Sequence, residues 1–169
     1  MLTLILGGSA SGKSEYAEVH VLGLEGPRIY IAAMEPFSPE AGARIARHHA
    51  MRRDRGFETV ERYRDLGTTP LPPGANVLLE DLGNLTANEM FHPAGDVESI
   101  LPGVERLLAR CRHLTIVTNE VFSGGQDYEG DTLRYLRELA RINRSLAGRA
   151  DRVVEVVCGL PNVLKGGNL

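Results

Sequence analysis

A run of eight residues near the start of the chain, residues 7–14, constrains what this sequence can fold into more than any other stretch. It reads Gly-Gly-Ser-Ala-Ser-Gly-Lys-Ser and fits the pattern G-x-x-x-x-G-K-[ST] at every position. An apolar run at residues 2–6 precedes it, and a helix-like run at residues 15–18 follows it. Because this order of strand, loop and helix is the setting in which the pattern binds phosphates, the run predicts a phosphate-binding loop (P-loop) for a nucleoside triphosphate.

The residue types of the loop explain how it would hold phosphate. Glycines let successive backbone N–H groups turn toward an anion, and the following helix adds its positive N-terminal end. The Lys13 side chain can reach the β- and γ-phosphates, where it would neutralise charge in the transition state, and the Ser14 hydroxyl can ligate Mg²⁺. The predicted nucleotide contacts here are Gly7, Gly8, Ser9, Ala10, Ser11, Gly12, Lys13 and Ser14. The alternative is a glycine-rich turn with an incidental lysine.

Length and composition narrow the class of protein. A chain of 169 residues with 43% hydrophobic residues is expected to form one domain, residues 1–169, with a substantial core. A net charge of −3 and the absence of Trp give no sign of a nucleic-acid partner. The two cysteines, Cys111 and Cys158, lack metal-ligand spacing and are expected to be reduced. With neither a signal peptide nor an apolar run of about 20 residues, the chain is predicted to be cytoplasmic and without a membrane segment.

Strand-like apolar runs alternate with helix-like stretches along the chain. The predicted strands are residues 2–6, 30–33, 77–79, 114–118 and 152–157, with a possible short strand at 58–61. The predicted helices begin after the P-loop and continue at residues 40–55, 85–91, 97–112 and 131–147. Continuous apolar strands separated by helices indicate a mostly parallel sheet with helices on both faces. The predicted fold class is therefore α/β, a P-loop NTPase of the RecA-like kind, with residue 159 onward as a tail.

Polar residues that follow the predicted strands form the candidate site, because ligands of such sheets bind at the carboxyl ends of the strands. Glu80 and Asp81 end one apolar strand, where P-loop enzymes place a carboxylate linked to Mg²⁺. The predicted metal ligands are thus Ser14, Glu80 and Asp81; the alternative is an acidic pair that is solvated or caps the next helix. Asn119 and Glu120 follow another strand, where they could hold substrate or a metal-bound water, or could cap a helix.

A basic stretch at residues 44–53 is the second unusual feature. On a helix, Arg44, His48 and Arg52 are four residues apart and share a face. Two neighbouring guanidinium groups would favour a neutral imidazole near pH 7. A neutral imidazole can attack phosphorus and form a covalent phosphoramidate. From spacing alone, a basic, solvated helix face is the favoured interpretation.

These pieces, taken in order, resemble the CobU-type adenosylcobinamide kinase / adenosylcobinamide-phosphate guanylyltransferase family. The resemblance covers nearly the whole chain, and the ordered set is more specific than the P-loop alone. The matching stretches are the P-loop, Tyr30-Ile31-Ala32, R-I-x-x-H at residues 44–48, Leu78-Leu79-Glu80, Thr118-Asn119-Glu120-Val121 and Ala150-Asp151-Arg152-Val153. Asn88 and Asn143 also fall at positions like those of the family.

The resemblance implies two reactions of cobalamin assembly: phosphorylation of adenosylcobinamide by GTP or ATP, and transfer of GMP from GTP through a guanylyl-histidine. It implies that His48 is the nucleophile, that Arg52 neutralises charge beside it, and that His49 takes the place of a basic nucleotide contact. It also implies nucleotide contacts at Glu61 and Glu80, and a site lined by Ala33, Met34 and Glu35. The cofactor would be Mg²⁺, the partner a small-molecule corrinoid, and the assembly a homotrimer.

The chain departs from the family pattern in two places. After Val121 the family has Gly and a G-I-V-P-type loop, whereas this chain has Phe-Ser-Gly-Gly-Gln-Asp at residues 122–127. In the R-D-x-x-G-x-x-N pattern, Arg137 and Ala140 replace the aspartate and glycine, and only Asn143 is kept. Asp81 also replaces an uncharged residue. We therefore predict retained nucleotide chemistry and a remodelled acceptor site.

Two other functions fit part of the sequence. A P-loop small-molecule kinase would keep only one half-reaction, and would transfer phosphate without forming a guanylyl-histidine. A nucleotide-dependent regulatory NTPase would hydrolyse slowly and turn over no acceptor.

Overall fold

The computed structural model describes residues 1–35, 52–122 and 127–167. In these residues a seven-stranded sheet runs through the molecule. Its strands are β1 Leu2–Gly7, β2 Arg28–Ala32, β3 Glu58–Glu61, β4 Asn76–Glu80, β5 His113–Asn119, β6 Arg152–Val157 and β7 Leu160–Lys165. Their spatial order is β3-β2-β4-β5-β1-β6-β7, and every neighbouring pair is parallel except β6 and β7.

Helices cover both faces of the sheet, as the alternating pattern predicted. They are α1 Lys13–Leu22, α2 Leu82–Phe91, α3 Ile100–Leu108 and α4 Gly130–Arg149, with 3₁₀ turns at Leu66–Thr68 and Val97–Ser99. On one face, α1 packs Ala17 and Val21 into a core cluster with alternate residues of the central strands. On the other face, α2, α3 and α4 pack into a second, larger cluster. Because central strands are buried from both sides, they are continuous apolar runs.

Two sequence predictions differ from the structure. The predicted tail from residue 159 is wrong, because Leu160–Lys165 forms the antiparallel edge strand β7. Cys158 and Gly159 both have positive φ, 50° and 78°, which is the geometry of a two-residue hairpin turn. Pro161 lacks an N–H group and masks the strand signal, although an edge strand tolerates it.

The predicted helix at residues 97–112 is shorter than expected. A 3₁₀ turn at Val97–Ser99 precedes α3, which begins at Ile100 and ends at Leu108. Pro102 then falls in the first turn of the helix, where a backbone N–H has no intrahelical acceptor, so proline is tolerated. The helix predicted at residues 40–55 lies mostly outside the described residues. In its described part, residues 52–54 are helical. In the described part of the chain, no helix is both long and apolar enough to span a membrane.

Candidate functional site

The P-loop joins the end of β1 to the start of α1 in the middle of the sheet. Ala10 and Gly12 have left-handed backbones, with φ of 56° and 89°, which is a geometry that turns N–H groups toward a common point. Gly12 is the N-cap of α1 and brings no side chain to the first N–H groups of the helix. The loop therefore presents backbone donors and a helix N-terminus, which together suit an anion.

Lys13 lies against this loop. Its Nζ donates a hydrogen bond to the Gly8 carbonyl oxygen at 3.0 Å, and the side chain is 8% exposed. A lysine this buried is held over the loop rather than extended into solvent. The charge of Lys13 also acts on Asp81: burial raises the pKa of Asp81, and Lys13 opposes that rise.

Ser14 contacts the carboxyl end of β4. Its hydroxyl donates to Oε1 of Glu80, while Oε2 of Glu80 is buried without a hydrogen-bond partner in the described residues. Burial raises the pKa of Glu80 to about 7, and the nearby Asp81 charge adds to the rise, whereas the Ser14 hydrogen bond and Arg52 oppose it. A buried carboxylate oxygen without a partner is the kind of group that a cation or a protonated ligand satisfies.

Asp81 has a second role that the sequence left open. It is the N-cap of α2: its Oδ1 accepts from the Asn84 N–H at 2.6 Å and its Oδ2 from the Asn84 Nδ2 at 3.1 Å. Burial raises its pKa, although these hydrogen bonds and Lys13 oppose the rise. The capping alternative thus describes the geometry of Asp81, and its part in binding a metal stays a prediction.

Arg52 is the first of the described helical residues 52–54 and reaches the same site. Its guanidinium carbon lies 3.6 Å from the centre of the Tyr30 ring, and Phe57 meets that ring edge-on at a centroid distance of 6.0 Å. This cation–π contact fixes Arg52 at the side of the sheet that carries α1. Burial raises the pKa of Glu80 and the charge of Arg52 opposes that rise, so the two residues belong to one electrostatic environment.

The loops that follow β2 and β3 are tied to the site by Asn88 of α2. Its Nδ2 donates to the Ala33 carbonyl at 2.8 Å and to the Tyr63 carbonyl at 3.0 Å, and the side chain is buried. Ala33 in turn donates its N–H to the Glu80 carbonyl at 3.0 Å. Sequence reasoning noted Asn88 without giving it a role, because these partners are 25 and 55 residues away.

The other predicted contacts on these loops are near the surface. Met34 is 44% exposed. Glu35 pairs with Arg64 at 3.7 Å, and Glu61 accepts from the Tyr63 hydroxyl at 2.6 Å. The structure therefore brings the loop, Glu80, Arg52 and the β2 and β3 ends to one edge of the sheet. Arg44, His48 and His49 lie outside the described residues.

Asn119, the last residue of β5, and Glu120, the residue after it, continue this edge. The Glu120 N–H donates to the Gly7 carbonyl at 3.0 Å, which ties the end of β5 to the first residue of the P-loop. Thr118 donates through Oγ1 to Asn143 Oδ1 at 2.8 Å, and Asn143 Nδ2 donates to the Asn119 carbonyl at 3.5 Å. These bonds connect the edge to α4 and are structural, since they satisfy polar groups between a strand and a helix.

Fold and site together define a class: an α/β protein with a P-loop at the end of the first strand, a buried lysine and a serine–glutamate pair beneath it. Among solved structures, a RadB recombinase matches with a TM-score of 0.50 and 16% identity, over 91% of this chain and 73% of that chain. This likeness shows the fold alone and agrees with the predicted RecA-like class.

Comparison with protein families narrows the class. The family described as cobinamide kinase / cobinamide phosphate guanyltransferase matches residues 3–164. The bifunctional adenosylcobalamin biosynthesis protein CobU of Escherichia coli (strain K12) is 32% identical over 95% of this chain and 97% of its own length. The corresponding protein CobP of Pseudomonas aeruginosa is 32% identical over 98% of each chain. The chain belongs to the CobU family, as its ordered motifs predicted.

Proposed function

We propose that this chain phosphorylates cobinamide with a nucleoside triphosphate and then transfers GMP to cobinamide phosphate. The observation that carries the proposal is the Lys13, Ser14 and Glu80 constellation at the P-loop, in a chain that matches its family over residues 3–164. The corrinoid acceptor comes from the family and from the names of the relatives.

The kinase half uses the P-loop. The acceptor hydroxyl attacks the γ-phosphorus, its proton is released, and the nucleoside diphosphate leaves. Backbone N–H groups of the loop and Lys13 hold the β- and γ-phosphates and stabilise the charge that develops. Such preorganised donors cost no reorganisation when the reaction occurs.

Ser14 and Glu80 fit Mg²⁺, because they offer hard oxygen ligands, one of them buried and without a partner in the described residues. When bound, Mg²⁺ would neutralise phosphate charge. Asp81 adds negative charge beside them. In the described residues no group of three or more His, Cys, Asp or Glu could hold a metal.

The transferase half uses His48. A ring nitrogen of His48 attacks the α-phosphorus of GTP, the bond to the β-phosphate oxygen breaks, and pyrophosphate leaves. A phosphate oxygen of cobinamide phosphate then attacks the same phosphorus, the N–P bond breaks, and free histidine and cobinamide-GDP result. The R-I-x-x-H pattern at residues 44–48 supports this role, and so does Arg52, fixed on Tyr30 at the edge where the guanylyl group would form. His49 and Glu61 complete the proposed nucleotide contacts.

The test is product analysis. Purified protein is incubated with adenosylcobinamide, GTP and Mg²⁺, and the corrinoids are resolved by chromatography and mass. We expect cobinamide phosphate first and cobinamide-GDP later. Phosphate without the GDP product would select the kinase with one half-reaction. Slow GTP hydrolysis with neither product would select the regulatory NTPase and overturn the proposal.

We also propose a homotrimer. The support is the family resemblance, together with Val157 and Leu160, apolar side chains that are 52% and 72% exposed at the β6–β7 turn. Sedimentation equilibrium should give a mass three times the 18.4 kDa of the chain. A monomer mass at all concentrations would contradict this assembly.

A further inference from the structure

A cavity of about 580 Å³ lies between α4 and the part of the sheet formed by β5, β1, β6 and β7. Its floor is apolar, with Leu4 and Leu6 from β1 and Val153 from β6, and Ala140 and Ala147 line its α4 side. The volume is within the usual range of about 300–1,000 Å³ for small-molecule sites. The nucleotide mechanism uses none of these side chains.

The positions where the sequence departs from the family pattern converge on this cavity. Phe122, Arg137 and Ala140 all line it, although they come from two separate segments of the chain. Asn119 and Asn143, which follow the family pattern, line it as well. The cavity is therefore lined both by residues that follow the family pattern and by residues that depart from it. We expect such a mixture in a binding site that keeps the class of its ligand but contacts that ligand differently.

The cavity adjoins the phosphate-binding loop. Its rim residue Glu120 is hydrogen bonded to Gly7 at the start of the P-loop. Asn119 Nδ2 and Asp81 Oδ1 each lie 3.1 Å from the position that a Cβ on Gly83 would take. Both side chains therefore lie beside the backbone of Gly83. Asp81 is in turn within the electrostatic influence of Lys13. A ligand in the cavity can therefore extend its end toward the phosphates.

The charged residues that line the cavity favour an anion, because two arginines outnumber the one carboxylate, Glu120. Three other arginines of α4 form ion pairs: Arg134 with Asp131, Arg141 with Glu98 and Glu138, and Arg149 with Glu105. Within the described residues, the two that line the cavity, Arg137 and Arg144, form no such pair. They are seven residues apart on one helix, so they lie on the same side, about 10 Å from each other along its axis.

We propose that this cavity is the acceptor subsite, which takes the alcohol-bearing arm of the corrinoid against its apolar floor. Arg137 and Arg144 bind the phosphate once the arm has been phosphorylated. This inference rests on the proposed function and adds the location and the charge preference of the acceptor. The cavity is too small for a whole corrin ring, which would remain at its mouth.

Kinetic measurements with cobinamide and with cobinamide phosphate as acceptors test whether the arginines bind the phosphate. Arg137→Gln should raise KM for cobinamide phosphate about tenfold or more, the loss expected for one hydrogen bond to a charged group, with a smaller change for cobinamide. Arg134→Gln, on the same helix but outside the cavity, is the matched control and should change neither. Equal effects of Arg137→Gln on both acceptors would overturn the role of the cation.

A second variant tests the apolar part. Ala140→Leu fills the cavity and should raise KM for both acceptors at least about tenfold. Unchanged KM values would place the acceptor elsewhere. The GMP adduct formed from GTP alone should match wild type in every variant, which also shows that each one folds. Absence of the adduct in the wild type would count against the proposed function itself. Failure of the acceptor subsite alone would leave the adduct intact and change only the KM results, so the two failures can be told apart.

Discussion

At the scale of single residues, the site is defined by ionisable side chains that are largely buried from solvent. Lys13 is 8% exposed, and Glu80 has one buried oxygen without a partner in the described residues. Such groups are costly in a folded protein unless a ligand satisfies them. Their position at the P-loop supports the proposal that a bound triphosphate and its cation are their partners.

Lys13→Ala tests this placement. Loss of one preorganised donor to a developing oxyanion lowers kcat about 10²–10³-fold, and we expect a loss in this range for phosphate transfer to cobinamide. Lys165→Ala, which removes a lysine that bonds carbonyls at the end of α4, is the control and should keep near-normal kcat. Near-normal turnover by Lys13→Ala would show that the P-loop is not the catalytic site.

A pH effect on stability is expected far from the site. Burial, with the charges of Arg152 and His113, lowers the pKa of His20 below its ordinary value of 6.5. Just below pH 6.5 the unfolded chain therefore binds more protons than the folded chain. The stabilisation that comes from keeping His20 neutral is fully present above pH 6.5 and is lost as the pH falls.

His20→Gln should therefore lose less stability on acidification than the wild type. The measurement is the free energy of urea unfolding at about pH 7.5 and about pH 5.5 for both proteins. The effect will be partial, because the pKa of His113 is lowered too. Identical losses in the two proteins would contradict the assigned environment of His20.

At the scale of elements, the P-loop rests on the turn between β6 and β7. The Gly159 N–H donates to the Ser11 carbonyl at 2.8 Å, and a Cβ on Gly12 would lie 3.1 Å from the Gly159 Cα. The loop is thus shaped by a hairpin more than 140 residues later in the chain. Sequence order alone does not reveal this contact.

Two neighbouring glycines of the loop should respond differently to alanine. A Cβ on Gly7 would lie 2.5 Å from Ser11 Oγ and 2.6 Å from the Val156 carbonyl oxygen, whereas a Cβ on Gly8 would meet no atom of the described residues within 4 Å. Gly7→Ala should lower the free energy of unfolding by about 1–3 kcal/mol through overpacking, and Gly8→Ala should leave it nearly unchanged. Urea unfolding of both variants decides this, and equal losses would refute the close contact.

Sequence patterns predicted elements whose signal is local. Residues 77–79 and 114–118 are continuous apolar runs, and they became the buried strands β4 and β5. The P-loop could be predicted from residues 7–14 alone. What failed depends on distant partners: β7 is an exposed edge strand stabilised by pairing with β6, and Asn88 gains its role from two carbonyls far along the chain.

At the scale of the whole molecule, the sheet order would let the proposed nucleotide and acceptor sites act together. β1 lies between β5 and β6, so the P-loop emerges at the middle of the sheet edge. α1 leaves it on one face, while the proposed acceptor cavity lies under α4 on the other. Nucleotide and acceptor would thus approach the same edge from opposite faces, and their reacting ends would meet between Lys13 and Asn119.

The measurement that tests the central claim most directly is intact-protein mass spectrometry after incubation with GTP and Mg²⁺. We predict an acid-labile adduct of one GMP on the wild-type chain, no adduct on His48→Ala, and discharge of the adduct by adenosylcobinamide phosphate. A chain that binds GTP yet gains no GMP, or an adduct that persists in His48→Ala, would contradict a guanylyltransferase that works through this histidine.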